Sequence, residues 1–239
     1  MKGVARTVPV IAAVLLAAGL AGCGDGPPAE QVQRDHQDAA VTARQEIDSA
    51  LAPLDEVGEQ LAEAVRDSCV TGQHNYKVDD PYDVRCTIEV HRAYHVTGAD
   101  FRAAADSVTA AFPDCAESDA ETTLRDYWDT LEGTTTHNFP GPYRPDYLPD
   151  YRLDCEDGDA TDDTPQVPVT VTGWATLPVD EETTTLREHG MGQPCVTNTE
   201  DSPCRWDGIP AREIFGFDVA SGDGWIVFVS GRLDYAEVG

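Results

Sequence analysis

Val84-Arg85-Cys86-Thr87-Ile88-Glu89-Val90-His91-Arg92-Ala93-Tyr94-His95-Val96 is the stretch on which the fold turns. Val84, Cys86, Ile88, Val90, Tyr94 and Val96 recur at even spacing, with Arg85, Thr87, Glu89, His91 and His95 between them. Successive side chains of a strand point to opposite faces, so period two over this length predicts a half-exposed antiparallel strand. Arg92 is the one charged residue on its apolar face.

Helix follows at once. Thr97 or Asp100 can cap it, Phe101, Ala104, Ala105, Val108, Ala111 and Phe112 form its apolar side, and Pro113 ends it. Ser118 and Glu121 stand in capping-box spacing before a shorter helix that presents Leu124, Tyr127, Trp128 and Leu131 and stops at Gly133. Upstream, Glu30 to Cys69 also reads as helix, because Ala40, Ala43, Ile47, Leu51, Leu54, Gly58, Leu61 and Val65 alternate by three and four. Pro53 removes a helical hydrogen bond, which makes this segment a kinked helix or two helices. Residues 30–68 are then either a stalk or part of the core.

Downstream the chain turns to β. Tyr151 to Cys155 and Gln166 to Leu177 read as strands, and Glu213 to Ala220, the turn at Ser221-Gly222-Asp223-Gly224 and Trp225 to Leu233 read as a hairpin. Trp225 to Val229 is apolar on both faces, which puts it at the centre of a sheet. Helices first and strands later predict an α+β fold, with N-terminal helices packed on a mainly antiparallel sheet in one domain over residues 30–239.

The N-terminus supplies an address. Lys2 and Arg6 precede an apolar run from Val8 to Leu20, and Leu20-Ala21-Gly22-Cys23 follows. A basic flank, a short apolar core and small residues before a cut make a secretory signal peptide. With cysteine placed directly after them, residues 1–22 resemble the signal of a bacterial lipoprotein. That resemblance implies cleavage before Cys23, lipidation of Cys23, and a protein anchored on the outer, extracytoplasmic face of the cell membrane. Residues 23–29, with Gly24, Asp25, Gly26, Pro27 and Pro28, read as a short tether. The apolar run is too short for the ~20 residues of a membrane span.

Seven cysteines less Cys23 leave Cys69, Cys86, Cys115, Cys155, Cys195 and Cys204. An even number in an exported chain implies a disulfide framework, here with about fifteen connectivities. Sequential pairing is the preferred one: Cys69 with Cys86, Cys115 with Cys155 and Cys195 with Cys204. Zinc fits less well, because no Cys-x-x-Cys occurs and no histidine lies close to these cysteines in sequence.

The formal charge is −28, and removal of Lys2 and Arg6 with the signal takes it to −30. Lys77 is then the only lysine left. Such a surface repels nucleic acid and anionic headgroups, so no nucleic-acid partner is expected.

Catalytic signatures are absent from the sequence. No Gly-x-Ser-x-Gly elbow, Ser-x-x-Lys or His-Glu-x-x-His occurs, although a composite site can be assembled from distant residues. His91 and His95 on one strand stand ~13 Å apart and cannot share an ion. Asp157, Asp159 and Asp162 lie in an acidic loop that misses the EF-hand pattern, so it is either a disordered or solvated loop or an irregular calcium site. No other cofactor is expected. Tyr127, Trp128, Tyr143, Tyr147 and Tyr151, interleaved with prolines, either line a cleft for a glycan, peptide or small ligand or pack over the sheet. The reading these features favour is a non-catalytic binding or interaction module of the cell envelope, with an envelope protein or small ligand as partner. An extracytoplasmic hydrolase is the alternative.

Overall fold

The computed structural model describes residues 26–112, 119–131, 150–153, 167–176, 191–192, 194–196, 198–208 and 224–239. In chain order these form α1 (Ala29–Asp35), α2 (Gln37–Leu51), a 3-10 turn (Ala52–Glu56), β1 (Gly58–Thr71), β2 (Val84–Val96), α3 (Phe101–Ala110), α4 (Asp119–Leu131), β3 (Tyr151–Arg152), β4 (Val169–Thr176), β5 (Cys204–Gly208) and β6 (Trp225–Val238). The strands make one sheet in the order β3-β4-β6-β2-β1-β5, and every neighbouring pair is antiparallel. The fold is α+β, as the sequence predicts.

β2 spans the stretch that period two marks out. Its even-numbered side chains face the helices. Ile88, Val90, Tyr94 and Val96 join Ile47, Leu51 and Leu54 from the N-terminal segment, and Val227 and Val229 from β6, in the main core. Phe101 sits at the heart of this core, where edge contacts satisfy the quadrupoles of neighbouring rings. Its ring centroid lies 5.1 Å from those of Trp174 and Trp225 and 5.8 Å from that of Tyr127. Asp100 caps α3 by accepting a hydrogen bond from the Ala103 N–H at 2.9 Å. α2 approaches β6 over Gly231, where a Cβ would meet Ile47 Cγ2 at 2.6 Å. Ile47 is fully buried there.

Three expectations are corrected. The helix read from Glu30 to Cys69 ends at Leu51, and residues 58–71 are a strand. Leu54, Gly58, Leu61 and Val65 fit helical spacing, but Pro53 opens the 3-10 turn and the chain then pairs along β2, from Gly58 opposite Val96 to Thr71 opposite Val84. Tertiary pairing outweighs the helix propensity of this Ala- and Glu-containing segment. The segment is no stalk: Ala29 and Val32 of α1 pack on Cys69, Val84, Cys86 and Ala236, while α2 covers the main core.

The outer face of β2 is mostly covered rather than half exposed. β2 lies between β6 and β1, and Thr87 and His91 are buried. Ala93 packs there with Ala62, Ala64, Met191, Ile226 and Phe228, so the sheet carries a second, smaller core on the side away from the helices. Cys204–Gly208, where the sequence reading places no strand, forms the edge strand beside β1. β6 has the predicted interior position, with β4 and β2 on its two sides, and Trp225 to Val229 are buried. Its expected hairpin partner, residues 213–220, lies outside the described residues.

Candidate functional site

Two polar constellations flank the sheet. The first lies on the outer face of β2. Glu89 is surrounded by His91 Nε2 at 3.8 Å, Arg66 Nη1 at 3.8 Å and Arg232 Nη1 at 3.6 Å. His91 draws the Glu89 carboxyl downward, burial pushes it back up, and the Arg66 and Arg232 charges add to the lowering. The carboxyl stays below its ordinary value of 4.5. Both ring nitrogens of His91, and Nε2 of His95, are buried with no hydrogen-bond partner among the described residues. Gly192 closes over His91: a Cβ there would meet Nε2 at 2.6 Å, and its φ of +72° is the left-handed region that glycine enters without steric penalty. The Glu89 carboxylate thus sits between two guanidiniums and an imidazole as one charged cluster on this face. Gly192 covers the imidazole, while Arg66 and Arg232 reach solvent. Among the described residues no group of three or more His, Cys, Asp or Glu is arranged to hold a metal ion.

The second constellation is the loop between β1 and β2, and it is open. Gly72 N–H donates to the Asp83 carbonyl at 2.7 Å and closes its base. His74 is clamped between two carboxylates, with Nδ1 3.0 Å from Asp79 and Nε2 3.1 Å from Asp83. The hydrogen bond with Asp79 is the largest influence on the imidazole, which is raised above its ordinary 6.5. Asn75 Oδ1 accepts from the N–H groups of Lys77 at 2.9 Å and Val78 at 3.2 Å, a side-chain turn that fixes the tip. Gln73 N–H donates to Asp80 Oδ2 at 2.7 Å.

This framework presents Tyr76 with 91% of its surface exposed and Val78 with 42%. Lys77 Nζ stands 5.3 Å from the Tyr76 ring centroid, within cation–π range. Gly26 lies against the loop's base, where a Cβ would meet Asp83 Cβ at 2.9 Å, and Gly239 packs on Pro81 and Tyr82. Both ends of the described chain and this tip therefore share one end of the sheet. Sequence reading missed the site. Its signal was the polar run Gly72-Gln73-His74-Asn75 and Asp79-Asp80-Pro81 bracketing Tyr76, Lys77 and Val78.

The residues singled out in the sequence divide as follows. Cys69 pairs with Cys86, and Cys195 with Cys204. The first bond joins directly opposed positions of β1 and β2, and the second ties the edge strand to the segment before it. Cys23, Cys115, Cys155, Tyr143, Tyr147, Asp157, Asp159 and Asp162 lie outside the described residues. Tyr127 and Tyr151 are buried in the main core, and Trp128 belongs to α4. No family model, curated protein or solved structure matches this chain.

A third cluster explains Arg92. Its guanidinium donates from Nε to Glu63 Oε2 at 2.8 Å and pairs through Nη2 with Asp48. Arg44 closes a ring by meeting Glu63 Oε1 at 2.6 Å and Asp48 Oδ1 at 3.0 Å. Tyr94 Oη donates to Asp55 Oδ1 at 3.0 Å beside it. Burial pushes the Tyr94 phenol up to about 12. These groups pair with one another across α2, β1 and β2, so the ring joins helix to sheet.

Proposed function

We propose that this protein is a lipoprotein of the extracytoplasmic face of the cell membrane, anchored through Cys23, whose domain serves as a non-catalytic binding or interaction module of the envelope. The observation that carries the reading is Leu20-Ala21-Gly22-Cys23 behind a basic flank and an apolar run. Two further features support it. The disulfides Cys69–Cys86 and Cys195–Cys204 suit an oxidising compartment, and α1 begins six residues after Cys23, which leaves only a short tether.

Interaction is the role that the open loop suits best. A preordered tip with an exposed tyrosine, lysine and valine offers apolar surface and hydrogen bonding at little ordering cost. Partition between detergent and aqueous phases tests the anchor. The wild-type chain should enter the detergent phase and incorporate labelled palmitate, and Cys23→Ala should do neither. Equal partition of the two, without label, overturns the reading. Turnover of wall fragments, esters or peptides by the purified domain would overturn its non-catalytic part.

A further inference from the structure

We infer that Tyr76, Lys77 and Val78 at the tip of the β1–β2 loop dock into the headgroup region of the bilayer that holds the anchor, and so orient the domain. This rests on lipidation of Cys23. Cys23 stands three positions before Gly26, and an extended chain reaches at most ~3.6 Å per residue, so the Cys23 backbone lies within about 11 Å of Gly26. Gly26 touches Asp83 at the base of the loop, and Asp83 is 3.1 Å from His74 within it. The loop end of the sheet is therefore the end nearest the membrane, whatever path the tether takes.

The chemistry of the tip suits that place. Tyrosine belongs at membrane interfaces because its ring is apolar and its hydroxyl stays wet. Lysine buries its methylenes while its ammonium remains among headgroups. Lys77 is the single lysine downstream of the signal, in a chain whose acidic surface otherwise repels anionic lipid. Asp79 and Asp83 of the same loop are both engaged by His74, and Asp80 accepts the Gln73 N–H. The anchor supplies association, and tethering makes even a weak second contact highly occupied. Docking here stands the strands away from the bilayer. The end of the sheet with Val96 and Trp225 then projects ~40 Å outward.

Lys77 is its own probe. The lipidated full chain is placed in vesicles of phosphatidylcholine and phosphatidylglycerol, treated with a membrane-impermeant amine reagent, and read by peptide mass. The lysine introduced by Arg102→Lys, exposed on α3 at the far end, serves as the internal reference. Lys77 should label about tenfold more slowly than the reference, a protection equivalent to ~1.4 kcal/mol. Tyr76→Ser with Val78→Ser should abolish that difference while the acyl mass and vesicle flotation persist. Equal labelling in the parent, or protection unchanged in the double variant, overturns the docking and leaves the anchor standing. Absence of acyl mass overturns both.

Discussion

Gly192 and His74 show how single residues set the two polar sites. A side chain at Gly192 would take a left-handed φ of +72° and press a Cβ against the His91 ring at 2.6 Å. Left-handed backbone costs an L-residue about 1 kcal/mol and the contact adds to it. Gly192→Ala should therefore destabilise the fold by ~2 kcal/mol, read as a lower urea midpoint with an unchanged slope. His74 is tested by titration. Asp79 and Asp83 favour its imidazolium and raise its pKa above 6.5. A raised folded value means that the ion cluster contributes fully below the unfolded pKa and is lost as pH rises through the folded one. Imidazole proton resonances should accordingly titrate above 6.5 in the native protein, and Asp79→Asn should bring them back more than Asp83→Asn does. A native value at or below 6.5 would show that the clamp is not formed in solution.

At the scale of elements, the ring of Arg44, Asp48, Glu63 and Arg92 decides how α2 sits on the sheet. Arg92 is buried while Glu63 and Asp48 keep part of their surface in solvent, and removing the guanidinium leaves both carboxylates uncompensated. Arg92→Met should cost ~3 kcal/mol in denaturant unfolding, and adding Glu63→Gln should recover at least ~1 kcal/mol of that loss. Strictly additive losses would mean that the two do not interact. Burial pushes the Glu63 carboxyl up, but hydrogen bonds and charge from Arg44 and Arg92 outweigh it and hold it below 4.5. A depressed carboxyl gives stability that is present above the unfolded pKa and lost as pH falls through the folded one. Glu63 and Glu89 together thus predict that thermal stability declines on acidification below 4.5, with the Glu63→Gln, Glu89→Gln variant declining less.

The same elements show what the sequence could disclose. β2 was legible to its ends because six apolar residues at even positions admit one periodicity, and Arg92 was legible as an anomaly on that face. Its partners were not, because Asp48 and Glu63 come together only after β1 forms. β1 was misread because its small inward residues, Ala62 and Ala64, carry little signal, while Leu54, Leu61 and Val65 imitate a helix. β5 was hidden in a polar stretch whose strand character comes from pairing with β1. The strand placement of His91 and His95 was legible from the same alternation. The clamp of His74 by Asp79 and Asp83 matches no motif and arises from the fold of the loop.

For the whole molecule, the proposed anchor and the fold make one arrangement. The first described residue, the base of the β1–β2 loop and Gly239 gather at one end of the sheet. An acyl chain on Cys23 would hold that end, with the tip of the β1–β2 loop, toward the bilayer. The strong negative charge keeps such a domain from lying flat on anionic lipid, which favours an upright orientation. All of this depends on cleavage and acylation at one cysteine. Intact mass spectrometry of the protein extracted from its own membranes tests that point most directly. The mature protein should begin at Cys23, carry acyl mass on it, and hold Cys69–Cys86 and Cys195–Cys204 oxidised. A chain that retains residues 1–22, or one that begins elsewhere without acyl mass, would contradict this.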